Sequence, residues 1–449
     1  MSCPFLDTID RQVINFDFEK QCSVTLERKN VYICLVCGKL LQGRGEHTPA
    51  HAHSLQAKHF VFMNLDTRTI YCLPDNYVVE DSSLEDIIFN LHPTLKPSEI
   101  QRLDVDSDLK TDVFGSTYIP GFGGMTNAGA ADFLNASVQA LMRVIPFRNF
   151  FLNRDNFEDS PSPIVRLFGE CVCKLWNPRR LKSSVSALEL LQEVSKASKN
   201  RFGNGKQCDA NEFLKWLLHQ LHIGSKSNVI HECFQGRVQV TTEWISSHNS
   251  KECPPASTKE IPMLLVSLDL PDSPLFKDSR EGKSLLPEIM LKEALQKFNG
   301  ENSVDILHDG MIERKCYRIL EFPKYLILHM NRFKKNQWGI EKNHTLVHLT
   351  ISRFDASNLE LSRSSKRAKL APLLYSLVAN ICHKSLGDSN EEAKLRNGLS
   401  SGVYFAQVLN NATKQWYEIE DLVVEKTMPQ LVQISESFIA VYKKEDSSL

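Results

Sequence analysis

Two cysteines and two histidines near the start of the chain carry the clearest chemistry. Cys34 and Cys37 stand two residues apart in CLVCGK, and His53 and His59 follow a glycine-rich turn, QGRGEH. Thiolates and imidazoles at C-x2-C and H-x5-H separations can converge on one small cation, so the pattern predicts a tetrahedral zinc site with one ion. His47 and His51 lie close by, and spacing alone leaves them open as alternative ligands. Elsewhere the reactive residues do not form working pairs. Cys208 precedes Asp209 and Cys382 precedes His383, but neighbours on an extended chain point to opposite faces and cannot act as nucleophile and base. Asp132 stands where the loop GMTNAGAA should pass into a helix. A carboxylate there predicts an N-cap that accepts orphan backbone N–H groups.

These residues need elements to hold them. Leu134, Val138, Leu141, Met142 and Ile145 recur at helical spacing and predict one apolar face on the helix that Asp132 opens. In KQCDANEFLKWLLHQL, Phe213, Leu214, Leu217, Leu218 and Leu221 predict a second helix packed in a core. Alternation in VQVTTEW and the apolar run KYLILHM read as strands. Ser83 to Leu91 reads as a short helix with Ser83 and Asp86 spaced like a capping box. A polar connection, DVDSDLKTD, and then GSTYIPGFGG divide a cysteine- and histidine-rich unit, residues 1–105, from the remainder, residues 119–449, through a linker at 106–118.

The chain has 449 residues, 42% hydrophobic and 24% charged, enough for a large core in two or three domains. Lys+Arg 53 against Asp+Glu 54 gives a net charge of -1, so the whole-chain field favours neither nucleic acid nor acidic membranes. No apolar run reaches the roughly 18 residues of a membrane span, and MSCPFLDTID lacks the features of an export signal. Twelve cysteines in such a chain read as reduced thiols and metal ligands, which places it in the cytosol or nucleus. The basic stretch LSRSSKRAKL, Leu361 to Leu370, reads as a solvated loop, with nuclear import or phosphate contact as the functional alternative.

The stretch from Gly124 to Met142 resembles the segment that carries the nucleophile of ubiquitin-specific proteases. Aligned on Asn127, Gly129, Asn135, Gln139 and Leu141, it has Asp132 in place of the cysteine, at a helix start that would otherwise favour a thiolate. The resemblance continues through Gln207, Asp209, Ala210, Glu212 and Phe213, then Phe234-Gln235-Gly236, then Arg332, Phe333 and Lys342. YSLVANICH leads to Gly402-Val403-Tyr404, where active members have Gly-His-Tyr; valine cannot take a proton. Trp416 matches the next landmark, with Glu420 and Asp421 where the third catalytic residue would fall, while Asn127 matches the residue that supports the oxyanion. An acid with no imidazole to orient has no catalytic task. The resemblance implies an α+β, papain-like fold of fingers, palm and thumb, with no catalytic residues. Cys233 and Cys253 are too sparse for the zinc ribbon that the family mounts on its fingers.

Residues 1–105 are similar to the zinc-finger ubiquitin-binding domain that often precedes such proteases, through Cys34, Cys37, Gly43, Arg44, Ala50, His53 and His59. Tyr32 replaces the tryptophan that stacks on the ubiquitin tail, which counts against ubiquitin binding. Gln42 and Asp75 replace cysteines, which implies one zinc rather than three and leaves Cys3, Cys22 and Cys72 to pack as small apolar groups. With CPFLDTI, YCLPDNY and WNPR, the order of motifs resembles the spliceosomal, tri-snRNP-associated branch of the family. That resemblance implies a nuclear, non-catalytic scaffold required for pre-mRNA splicing. It would assemble or stabilise the tri-snRNP through helicase and GTPase proteins, with snRNA contact indirect or weak and no membrane partner. A non-catalytic ubiquitin-binding adaptor and an active isopeptidase are the competing readings.

Overall fold

A computed structural model describes residues 3–17, 19–106, 108–203, 205–246, 255–271, 287–308, 311–337, 339–359, 372–385 and 402–445. The basic stretch Leu361 to Leu370 and Cys253 lie outside them. The chain packs as two compact units that do not follow chain order: Met1–Ala128 with Phe151–Asn204, and Gly129–Phe150 with Gly205–Leu449.

In the first unit, β1 (Val31–Cys34), β2 (Leu40–Gln42), β3 (Val61–Asn64), β4 (Ile70–Cys72) and β5 (Tyr77–Val78) form an antiparallel sheet in the order β2-β1-β3-β4-β5. All of β1 is buried, so its alternate side chains serve two cores. Val31 and Ile33 pack with Met63, Ile70, Leu84 and Leu181. Tyr32 and Cys34 pack with Phe62, Leu73 and Ala50 of helix α1 (Pro49–Ala57). α1 starts on Pro49, whose fixed φ suits a first helical position, and ends where Lys58 turns left-handed at φ 56°. The expected helix near residue 83 is present with a different start. Ser82–Leu84 is a 3-10 turn capped by Asp81, which accepts from Ser83 N at 2.9 Å, and the α-helix runs Glu85–Leu91. Asp81 therefore does the work that the sequence assigned to Ser83.

Helices Pro163–Trp176 and Leu188–Ala197 belong to the same unit. The WNPR turn explains how they join the sheet. Asn90 donates to Arg179 O at 2.6 Å and accepts from Leu181 N and from the Asn177 amide at 3.1 and 3.2 Å. Lys174 pairs with Asp17 at 3.0 Å, and Tyr118 accepts from Arg180 N at 2.7 Å while its ring lies 4.1 Å under the Arg180 guanidinium. A Cβ on Gly123 would lie 2.1 Å from that guanidinium, so a larger residue would push the Arg180 head off Tyr118 and Ser183 O. Within 106–118, Asp112 accepts from the backbone N–H groups of Phe114, Ser116 and Ser183 at 2.9 Å each.

The second unit holds α2 (Asp132–Leu141), α3 (Ala210–Ser225) and most of the strands. α2 is buried on every side, not on the single apolar face expected, and Ile145 opens a separate helix, Ile145–Leu152. Its small residues Ala136, Ser137 and Ala140 allow close packing all round. α3 starts on Asp209, whose carboxylate accepts from Asn211 N and Glu212 N at 2.8 and 3.0 Å, an N-cap in the ordinary sense. A finger-like sheet contains β6 (Gly236–Ser246), β7 (Ser257–Met263), β9 (Asn299–His308) and β10 (Met311–Glu321), in the order β7-β6-β10-β9. The main sheet contains β8 (Val266–Asp269), β11 (Tyr325–Asn331), β12 (Leu374–Ser385), β13 (Gly402–Leu409), β14 (Trp416–Glu420), β15 (Val423–Thr427) and β16 (Ser437–Lys444), in the order β8-β11-β16-β12-β13-β14-β15. Its core is formed by Leu326, Leu328, Tyr375, Leu377, Trp416 and Tyr442. Arg332 is fully buried and donates to the carbonyls of Ser437, Asn343 and Thr345 at 2.6 to 3.0 Å, so backbone carbonyls take the place of water around the buried cation. No helix among the described residues is long and apolar enough to cross a membrane.

Candidate functional site

Cys34 ends β1, Cys37 follows on the knuckle, His53 lies on α1, and His59 comes just past its left-handed end. Their donor atoms all lie within 4.8 Å of one another. Cys34 Sγ is 3.6 Å from His59 Nδ1, Cys37 Sγ is 3.4 Å from His53 Nε2, and the two imidazole nitrogens are 3.1 Å apart. Zinc–sulfur and zinc–nitrogen bonds of about 2.3 and about 2.0 Å at tetrahedral angles give edges of about 3.5 Å for S···N and about 3.3 Å for N···N. The four donors therefore fit one tetrahedral dication. Burial pushes the Cys34 thiol up to about 12, and a dication would reverse that cost by binding the thiolate. His47 and His51 are not in the converging group.

The other cysteines of this unit are buried, but Cys22 is more than space-filling. Its sulfur accepts from Gln42 N at 3.2 Å and from Val24 N and Thr25 N at 3.4 Å each. Burial raises its pKa and the hydrogen bonds from Thr25, Val24 and Gln42 outweigh that, leaving it lowered. Spacing gave no sign of this role, because the donors are backbone groups.

The residues matched to catalytic positions make hydrogen bonds and strand pairings within the fold. Asp132 is not an N-cap: Ala131 holds that position, and Asp132 is the first helical residue, 2% exposed. Its Oδ2 accepts from Tyr404 N at 2.6 Å and from Gln207 Nε2 at 2.7 Å, and Gln207 also donates to Gly402 O at 2.9 Å. The carboxylate thus ties α2 to β13 and to the residues before α3. Burial raises its pKa and the nearby Asp421 adds to this, while the bonds from Gln207 and Tyr404 oppose it. Val403 lies between the two tied residues, Gly402 and Tyr404, and pairs across the sheet with Lys384. A Cβ on Gly402 would come within 2.2 Å of the His383 ring, so the strand can pass there only as glycine. Asp421 is left-handed, with φ 50°, and accepts from Asn135 Nδ2 at 2.9 Å, fastening the β14–β15 turn to α2. Glu420 ends β14, paired with Val423. Asn127 belongs to the other compact unit. Cys382 and His383 diverge as alternation requires: Cys382 contacts Asn380 and Gln407, and the His383 ring packs on Phe333 and Tyr404. The bridging roles of Gln207 and Asn135 were not legible from their motif positions alone.

Residues 123–442 match the family described as ubiquitin carboxyl-terminal hydrolase, and residues 20–84 match that described as Zn-finger in ubiquitin-hydrolases and other protein. The chain belongs to the ubiquitin carboxyl-terminal hydrolase family, with a zinc-finger domain ahead of the hydrolase-like fold. Over 472 residues it is 38% identical to the human protein named Ubiquitin carboxyl-terminal hydrolase 39, covering 99% of this chain and 80% of that one. It is 37% identical over 457 residues to the Probable mRNA-splicing protein ubp10 of Schizosaccharomyces pombe, covering 98% and 88%. A solved structure described as an essential yeast splicing factor superposes with a TM-score of 0.78 at 26% identity, covering 99% of this chain and 100% of that one. The zinc-finger match and the converging Cys/His donors together support a zinc-binding site in the first unit.

Proposed function

We propose that this protein is a non-catalytic scaffold of the spliceosome, nuclear and required for pre-mRNA splicing, which assembles or stabilises the tri-snRNP through its helicase and GTPase proteins. The observation that carries the reading is the Asp132 carboxylate, bonded to Tyr404 N and Gln207 where the family has its nucleophile. A thiol protease needs a thiolate and a base within hydrogen-bond reach of it. Here the first position is a structural acceptor and the second is Val403, so neither half of the chemistry remains. Asp421, with no imidazole to orient, fastens a turn through Asn135. Splicing functions in the names of the similar proteins support the same direction.

In this reading residues 1–105 are a zinc-finger domain with one zinc held by Cys34, Cys37, His53 and His59, residues 106–118 connect it, and residues 119–449 are the inactive hydrolase-like domain. Contact with snRNA is indirect or weak, and Tyr32 in place of the stacking tryptophan counts against ubiquitin binding. A scaffold acts stoichiometrically. Depletion from nuclear extract is expected to lower tri-snRNP levels and block splicing, with add-back restoring both in proportion to the amount added. Rescue by catalytic quantities, or normal splicing after depletion, would reject the proposal.

A further inference from the structure

The segment that follows WNPR, from Arg180 to Ser184, carries hydrogen-bond donors that the fold does not take up. Arg180 is 5% exposed. Its Nη1 donates to Ser183 O at 2.9 Å and its Cζ lies 4.1 Å from the centre of the Tyr118 ring. Its Nε and Nη2 are buried and have no hydrogen-bond partner among the described residues. Those two nitrogens form one edge of the guanidinium, a parallel fork that fits two oxygens of a carboxylate or a phosphate. A buried charged donor left unpaired is costly. Burial pushes the Arg180 pKa down to about 10, even with Tyr118, Asp112 and Asp17 pulling it up.

Arg180 lines a cavity of about 50 Å³ together with Asn15, Asp17, Lys174, Lys182 and Ser184, all within the first compact unit. One water needs roughly 10–15 Å³, so there is room for a larger polar group. The charges around it do not cancel. Lys174 is held by Asp17 at 3.0 Å and by Phe16 O at 3.3 Å. Asp112, which also acts on Arg180, turns its oxygens to the backbone N–H groups of Phe114, Ser116 and Ser183. The Lys182 ammonium, the Ser184 hydroxyl and Asn15 Nδ2 make no hydrogen bond among the described residues. What remains around the cavity is therefore two cations and a surplus of donors, the complement of an anion.

We propose that this cavity binds a phosphate dianion, as the free ion or as the head of a small phosphomonoester, on the Arg180 fork with Lys182, Ser184 and Asn15 around it. Two cations balance the charge of about −1.5 to −2 that a phosphomonoester carries at neutral pH, and its three free oxygens can accept from several donors at once. A carboxylate has two oxygens and a single charge. Nucleic acid is bound by cations repeated along a backbone, whereas here they meet at one point. Asn15 comes from the segment before β1, and Arg180, Lys182 and Ser184 from the segment after helix Pro163–Trp176, so a bound anion would fasten the two together.

The test is calorimetric titration of the purified full chain with sodium phosphate in the millimolar range, against sodium chloride of equal ionic strength. One saturable site is expected, with a rise in melting temperature that chloride does not give. Arg180→Lys keeps the charge and loses the fork, and should weaken binding about tenfold, the scale of one charge-assisted hydrogen bond. If that variant melts below the wild type without phosphate, Lys182→Ala with Ser184→Ala removes half-buried donors instead and should also cost about tenfold. O-phosphoserine is titrated alongside: a tighter fit than phosphate supports a monoester as the occupant, and a weaker one supports the free ion. No saturable site, or binding that both sets of variants leave unchanged, overturns the inference. Acetate binding as tightly as phosphate assigns the cavity to a carboxylate, and an RNA oligonucleotide that displaces phosphate assigns it to a nucleic-acid backbone; either result overturns it too.

Discussion

The finger and the hydrolase-like unit treat their reactive residues in opposite ways. In the finger, Cys34, Cys37, His53 and His59 come from a strand end, a knuckle, a helix and the residue after a left-handed cap, and still bring their donors within 4.8 Å. In the hydrolase-like unit, the residues matched to a catalytic set lie near one another but are engaged in the framework: Asp132 accepts from Tyr404 N and Gln207, Asp421 accepts from Asn135, and Val403 pairs across the sheet with Lys384. The difference follows from what each group contributes. A metal site in a small domain is a large part of its folding free energy, so its donors must converge for the domain to exist. A nucleophile and base contribute to a reaction and little to the fold, so their positions can pass to hydrogen bonds that support the framework.

The largest effect expected from breaking this contrast is loss of the metal. Chelation, or Cys34→Ala, should remove on the order of 10 kcal/mol of binding-linked folding energy from the finger. Elemental analysis should then fall from one equivalent of zinc to none, and circular dichroism should report melting of β1–β5. Two or three equivalents in the wild type would show that Cys3, Cys22 or Cys72 also ligate.

Next in size is Asp132→Ala. It leaves Tyr404 N buried without its acceptor and should cost about 2–3 kcal/mol in urea denaturation, more than most lost caps. A cost below about 0.5 kcal/mol would mean that the carboxylate is not a strut. Asn135→Ala removes the hold on Asp421 and should cost about 1 kcal/mol, read in the same assay, with protease sensitivity rising at the β14–β15 turn.

The smallest effect is one of pH. Asp132 has a folded pKa raised by burial and by Asp421, so the folded chain holds this proton more tightly than the unfolded chain. Its favourable contribution is full below the unfolded value of about 3.9 and is lost as pH rises through the raised value. Asp132→Asn keeps an oxygen for Tyr404 N and Gln207 and has no proton to lose. The variant should therefore gain on the wild type between pH 4 and neutrality, followed by paired urea titrations. A gap that shrinks as pH rises would contradict the sign.

Much of this was legible in the sequence, and the misses share a cause. Spacing found the Cys/His group, the helix carrying Phe213, Leu217 and Leu221, and the strands at VQVTTEW and KYLILHM, because those depend on short periodicities and on side chains that act near their own position. It gave Asp132 the wrong structural task because a carboxylate at a helix start has a local use as a cap, and the competing partners, Tyr404 and Gln207, are far along the chain. The burial of α2 on every side has the same long-range origin, whereas Asp81, which replaces Ser83 as a cap, and Cys22, two of whose three donors lie within three residues, accept from backbone N–H groups that no residue type announces. Long-range hydrogen bonds are invisible to pattern, and those bonds are what tie α2 to β13 and to the β14–β15 turn in the hydrolase-like unit.

Whether the hydrolase-like unit cleaves ubiquitin conjugates is tested by incubating the purified full chain with a fluorogenic ubiquitin C-terminal ester or amide. No turnover above the uncatalysed rate is expected, and none for Asp132→Cys either, because Val403 still leaves the thiol without a base. Turnover by the wild type that cysteine alkylation abolishes would contradict that expectation.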